Sequence, residues 1–303
     1  MSHEMRFRSS TPEWIRKCPR PWVVVDLSVL RSLPKGSGIP GLFTAIIPDR
    51  TVAELIGSAD PKRSIAKLDG ILCHPHSRGR LLLGRYWNNI EEEEVRPEDV
   101  WSGSIAAIDP ALSSQIRELQ ATGSILGDAE SLTPDEVADR KPDFVDMANR
   151  YSDWLASNRP EIRAALRLGV SQGHGVEQQT MDIRGPTPYL RESAAMVRSR
   201  YRRRAWGRVF RQFPDRCAAA RWTRLVAWYC THRAATPDGR LADVGNNYDD
   251  AHYAFLALYT GHIWTLDEGM RNAVIAVSDD RVRVHSSLDT IPEYHSRPTR
   301  ASR

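Results

Sequence analysis

No apolar run in this chain approaches the roughly 20 residues that a membrane-spanning helix needs. The opening MSHEMRFRSSTPEWIRKCPRPW holds no continuous apolar core, so a secretory leader is not expected. Cysteine is scarce. The four residues, at 18, 73, 217 and 230, are too scattered for a disulfide framework. Free thiols in a reducing cytoplasm are the expectation, with no membrane partner. Two ligand-binding motifs are begun and not completed. Cys73-His74-Pro75-His76 crowds three metal-capable residues together, but the second half of a zinc site is missing. SQGHG, 171 to 175, has two glycines but lacks the strand-to-helix setting and the lysine of a phosphate loop.

What is present is an ordinary globular composition: 303 residues, 41% apolar and 26% charged, enough for one large domain or two smaller ones. The net charge of +4 conceals a strong asymmetry. From Glu91 to Glu161 there are 17 acids against 6 basic residues, a net of −11. From Arg191 to Arg240 there are 13 arginines against 3 acids, a net of +10. A basic block of this kind suits a polyanion; it also suits a solvated helix face, or docking on the acidic block.

WVVVDLSVL, 22 to 30, reads as a buried strand ending near Asp26, because three consecutive valines favour a strand covered on both faces. KGSGIPG is a turn-rich loop, and LFTAIIP, 42 to 48, is a second apolar strand stopped by proline. A helix is predicted over 49 to 59 with Asp49 as N-cap, and another over PKRSIAKLDGILC. The middle of the chain is helical. A capping-box pattern opens at Thr133, and helices are predicted over 191 to 212 and 215 to 234. Ala218, Trp222, Leu225, Val226 and Tyr229 fall on one side of the second. Helical spacing gives Trp206, Trp222 and Trp228 core packing rather than base stacking as their expected work. Strands near both ends and helices between predict an α/β core, 20–85 with 235–285, and a helical insertion, 86–234. That insertion is acidic over 91–162 and basic over 191–234, and 1–19 and 286–303 are tails.

The carboxylates fall at the joints of this core. In NNYDDAHYAFLALYTGHIWTLD, 246 to 267, Asp249 is placed to cap a helix with Asp250 in its first turn. Ala254 and Ala257 would let that helix lie close to a sheet, Gly261 would end it, and HIWTL would be a strand with Asp267 at its carboxyl end. His252 is expected to face outward or sideways on the helix, as a surface residue rather than a catalytic one. Asp26 also ends a strand, and Glu54 can reach the same edge from its helix. In a parallel sheet, carboxyl ends share the edge where ligands bind. Carboxylates converging there repel one another unless a divalent cation neutralises them, and hard oxygen ligands suit Mg²⁺ or Mn²⁺. Taken singly, each acid also has a structural reading as strand end, helix cap, solvated residue or turn former.

These blocks resemble PIN-domain nucleases. VVVDLSVL is similar to their opening strand, IIPDRTVAELIGS to their second strand and Glu-bearing helix, and DDAHYAFLALYTGHIWTLD to their late Asp-helix-strand-T-x-D block. The blocks occur in the family's order and cover roughly seventy residues. The resemblance implies a three-layer α/β/α parallel-sheet core and a metal-dependent phosphodiesterase site acting on RNA more often than DNA. It implies Asp26, Glu54, Asp250 and Asp267 as the acidic quartet, with Asp249 replacing or assisting Asp250. Ser28 and Thr265 are then supporting hydroxyls. One or two ions are implied, because Glu-Gly-Met follows Asp267 where many members place another acid. The insertion is much longer than in compact members. Its arginines Arg198, Arg200, Arg202, Arg203, Arg204, Arg208 and Arg211 are the expected phosphate grip. A toxin, a defence effector and an RNA-processing enzyme all fit these residues, as does an inhibitory protein partner. Two further readings stay open: an inactive PIN-like scaffold that binds nucleic acid or protein, and an acidic insertion that folds over the basic block and holds the enzyme off.

Overall fold

The computed structural model describes residues 11–40, 43–48, 58–85, 107–123, 244–278 and 281–292, with single positions 51, 54, 55, 87, 89, 90, 218, 221, 222, 224, 225, 228 and 229. The valine run forms β1 (Trp22–Val25), buried along its whole length. In chain order the other principal elements are α1 (Glu13–Arg16), α2 (Leu27–Ser32), β2 (Thr44–Pro48), α3 (Pro61–Leu72), β3 (Leu81–Gly84), α4 (Pro110–Thr122), α5 (Val244–Thr260), β4 (His262–Trp264), α6 (Glu268–Ser278) and β5 (Arg283–His285). The five strands form one sheet in the order β3-β2-β1-β4-β5, with every pairing parallel. This is an α/β fold. Buried parallel strands need apolar side chains on both faces, and β1 supplies them along its whole length and β2 from Ala45 onward.

α3 and α4 start where an aspartate takes up a free backbone N–H group. Asp60 accepts from Arg63 N (3.1 Å) ahead of Pro61, and Asp109 accepts from Leu112 N (2.9 Å) ahead of Pro110. α5 lies against β1, β2 and β4, and its small residues Ala254 and Ala257 are fully buried. The approach is close enough that a side chain at Gly84, the end of β3, would collide with Leu256 Cδ1 and crowd Ile46 Cγ2 at 3.2 Å. Gly261 ends α5 in the left-handed region (φ 79°), its N–H bonded to Ala257 O at 2.9 Å.

The edge strand β3 is closed by a segment that the sequence reading assigned to the insertion. Arg85 N donates to Ala107 O (3.0 Å), Asp109 N to Leu83 O (2.9 Å) and Leu83 N to Ser113 Oγ (2.9 Å). Gln120, buried in α4, donates to Leu72 O at 2.7 Å. Residues 107–123 therefore pack on the sheet. The helical residues Ala218, Trp222, Leu225, Trp228 and Tyr229 also join the buried core. Trp222 stacks on Trp87 (5.1 Å between rings, 7° between planes) and meets Phe255 of α5 edge-on. On the opposite edge, His262 Nδ1 and His285 Nε2 are 3.1 Å apart, and His285 Nδ1 meets Thr290 Oγ1 at 3.1 Å. Burial, then the neighbouring His285 and Arg283, lowers His262 to about 4.

The strand read over 22 to 30 ends beside Asp26 as expected, at Val25, and the chain turns helical at Leu27, with Asp26 O receiving Val29 N and Leu30 N. Three expectations need correction. α5 begins at Val244, so Asp249 stands inside the helix and not at its cap. His252 is buried, its Nδ1 2.9 Å from Tyr248 O and its ring against Trp222. The strand predicted over 262 to 266 stops at Trp264. The expected helix at 133, the 191–212 helix, Asp49, Val226 and Trp206 lie outside the described residues.

Candidate functional site

β1 passes the chain to β2 on one side and pairs with β4 on the other, so the winding of the sheet reverses between β1 and β4. Beyond the carboxyl ends of such a strand pair the connecting segments diverge and leave a crevice. Asp26 directly follows β1, and Thr265-Leu266-Asp267 directly follow β4. The two ends are locked together, with Asp26 N donating to Trp264 O at 3.0 Å.

Side chains tie this junction further. Thr265 Oγ1 donates to Asp26 Oδ2 at 2.9 Å, and Ser28 Oγ donates to the same oxygen. Each hydroxyl also accepts from the backbone after β4: Thr265 Oγ1 from Asp267 N (3.0 Å) and Ser28 Oγ from Leu266 N (3.2 Å). Asp267 Oδ1 in turn accepts from Met270 N at 2.7 Å, in the first turn of α6. Asp26 is thus a buried carboxylate held by two hydroxyls, and Asp267 is held by the helix that it starts. Burial raises the Asp26 pKa; the Ser28 and Thr265 hydrogen bonds work against the rise, and the Asp267 charge adds to it.

Glu54 enters from a helical turn that also contains Thr51 and Leu55. Its Oε1 is buried with no hydrogen-bond partner among the described residues. Burial first, then the charge of Asp249, pushes its carboxyl up to about 8; the Tyr253 hydroxyl and Arg31 oppose the rise, and Asp26 adds to it. Tyr253, fully buried in α5, is anchored by a 2.8 Å hydrogen bond to Thr51 Oγ1. Asp250 sits at the electrostatic centre. Its pKa is raised well above the ordinary range by burial, then by Asp267, Asp26, Glu54 and Asp249 in that order. The fold therefore brings Asp26, Glu54, Asp249, Asp250 and Asp267 from four separate chain segments into one mutual field.

Such a cluster must hold extra protons or take up a cation. Its donors are all hard oxygens, and Glu54 Oε1 is a buried acceptor that receives no donor from the described residues. Both features fit Mg²⁺ or Mn²⁺. The fit is one of donor chemistry; among the described residues no three His, Cys, Asp or Glu side chains are grouped so as to hold a metal ion.

Sequence reasoning missed Tyr253, Thr51 and Arg31 as neighbours of the cluster. Tyr253 was legible only as an apolar position of α5, while Arg31 shares a face with Ser28 only once 27–32 is helical. The arginines Arg198, Arg200, Arg202, Arg203, Arg204, Arg208 and Arg211 lie outside the described residues. Among the described residues no helix is long and apolar enough to cross a membrane. The chain matches no family model, no curated protein and no solved structure.

Proposed function

We propose that this protein is a Mg²⁺- or Mn²⁺-dependent phosphodiesterase that cleaves nucleic acid from a three-layer, PIN-like α/β/α core with a large helical insertion. The observation that carries the reading is the electrostatic reach of four carboxylates onto Asp250 beside the switch of the sheet, with a buried Glu54 oxygen that has no partner among the described residues. Asp26, Glu54, Asp250 and Asp267 would hold the ion or ions, with Asp249 adding charge beside Glu54. A bound divalent ion would supply a lowered pKa for water and neutralisation of charge on the phosphodiester. The chain's own part is to fix the donors. Ser28 and Thr265 aim Asp26, the first turn of α6 aims Asp267, and burial keeps the field at Asp250 strong. No side-chain nucleophile is required. RNA is preferred to DNA on the strength of the resemblance. The arginines from Arg198 to Arg211 are the proposed grip on the wider phosphate backbone, which makes binding salt-dependent.

A second reading has an observation of its own. Asp267 Oδ1 is engaged as a helix cap, and no finished ligand group stands among the described residues. Both suit a PIN-like scaffold that binds nucleic acid or protein without cutting it. Incubating labelled single-stranded RNA and DNA with Mn²⁺ separates the two. The nuclease reading expects cleavage by the parent, and its loss in Asp26→Asn and Asp267→Asn. Cleavage that survives both substitutions would place the chemistry elsewhere, and a folded parent that cuts neither polymer would favour the scaffold.

A further inference from the structure

The carboxylate edge has a cation beside it that the metal reading does not use. α2 begins at Asp26 and buries Leu27, Val29 and Leu30. Ser28 lies on its other side, bonded to Asp26 Oδ2 and to Leu266 N. Arg31 is three residues further on, one helical turn along the same side, and its guanidinium is exposed to solvent. Its charge reaches Glu54. From α3, the Lys67 ammonium donates to Arg31 O at the end of α2, so a second cation is anchored behind the first. A phosphodiester approaching carboxylates must overcome their repulsion, and a bound ion offsets only part of it. A guanidinium at the rim can take a phosphate oxygen pair in the bidentate geometry that lysine lacks.

We infer that Arg31, with Lys67 behind it, forms a phosphate-binding site at the rim of the carboxylate cluster and positions a nucleic-acid strand across it. The inference rests on the proposed nuclease reading. It differs from a helix-end role for Arg31, in which the charge merely complements the helix dipole. The two roles separate because the charge of Arg31 acts with opposite sign on the two ligands: it attracts the strand and repels the metal.

The test is fluorescence anisotropy of a labelled single-stranded RNA oligonucleotide across a salt series, for the parent, Arg31→Ala and Arg31→Lys, with Mn²⁺ calorimetry on the same samples. Arg31→Ala should bind RNA roughly tenfold more weakly, the scale of one charge-assisted contact. The slope of log affinity against log salt should shrink by about 0.7, one single-strand phosphate contact. Mn²⁺ affinity should be equal or tighter. Arg31→Lys should keep the slope and lose several-fold in affinity. RNA binding and slope unchanged in Arg31→Ala would overturn the inference, as would a matching loss in Mn²⁺ affinity. A parent that takes up no Mn²⁺ would sink the metal reading instead. The RNA series, repeated in EDTA, then decides Arg31 separately: the same loss upholds the site and no change overturns it.

Discussion

Replacing Glu54 by glutamine should make the metal-free protein more stable at alkaline pH, although it deletes a proposed ligand. The unfolded chain releases this proton near 4.5, whereas the folded protein holds it until about 8. Folding therefore takes up a proton between those values, and stability falls as pH rises through that window. At about 1.4 kcal/mol per pH unit, the full effect on folding is about 5 kcal/mol above pH 8. Glutamine carries no charge but keeps a polar atom where Oε1 has no partner among the described residues, a residual cost of about 1–3 kcal/mol. The net gain for Glu54→Gln at pH 8 in EDTA is then about 2–4 kcal/mol, shrinking toward zero or reversing near pH 5. Urea unfolding at both pH values measures it. With saturating Mn²⁺ the order should narrow or invert, because the parent gains about 2.7 kcal/mol at a hundredfold excess over Kd and the variant gains less. Parallel pH dependence in the two proteins, or a variant less stable at pH 8 in EDTA, would mean that folding does not hold the Glu54 proton.

Other outcomes follow from the same geometry. Thr265→Val should cost about 1–3 kcal/mol in urea unfolding, since it strips a donor from buried Asp26 and leaves Asp267 N without its acceptor. It should also weaken Mn²⁺ binding; unchanged values for both would remove the hydroxyl from the network. Gly84→Ala should destabilise by about 1–3 kcal/mol through its collision with Leu256, and Leu256→Ala in the same chain should remove much of that increment. His262 titrates near 6.5 in the unfolded chain and is lowered to about 4 on folding, so its contribution is intact above 6.5 and is lost as pH falls toward 4. His262→Asn should flatten the stability profile across that window, and an unchanged profile would assign the acid sensitivity elsewhere.

The parts of this fold that were legible in the sequence are those whose chemistry is local. Three valines in a row announce β1, the proline that closes TAIIP ends β2, and Asp60-Pro61 opens α3. β3 and β5 were not found, because LLLG and RVH are too short to show a period and owe their strand state to pairing with β2 and β4. Asp249 and Asp250 look like a helix start because Asn-Asn-Tyr precedes them, yet α5 extends back to Val244. The positions of Asp26 and Asp267 were readable as strand ends. The hydroxyl pair on Asp26 Oδ2 joins residues 239 positions apart at its longer arm, and only the β1–β4 pairing brings them together. The closure of β3 by 107–123 was hidden for a similar reason. Ser113 and Gln120 are ordinary polar residues in sequence, and only the packed structure gives their side chains backbone partners on and beside the sheet.

Mn²⁺ titration calorimetry on the parent and Asp250→Asn decides whether the carboxylate edge is a divalent-cation site. Asp250 feels all four of the other carboxylates. The parent should bind one or two ions saturably, and that heat should vanish in a variant whose unfolding shows it intact. A folded parent that takes up no Mn²⁺, or an Asp250→Asn protein that binds it equally well, would rule the cation site out.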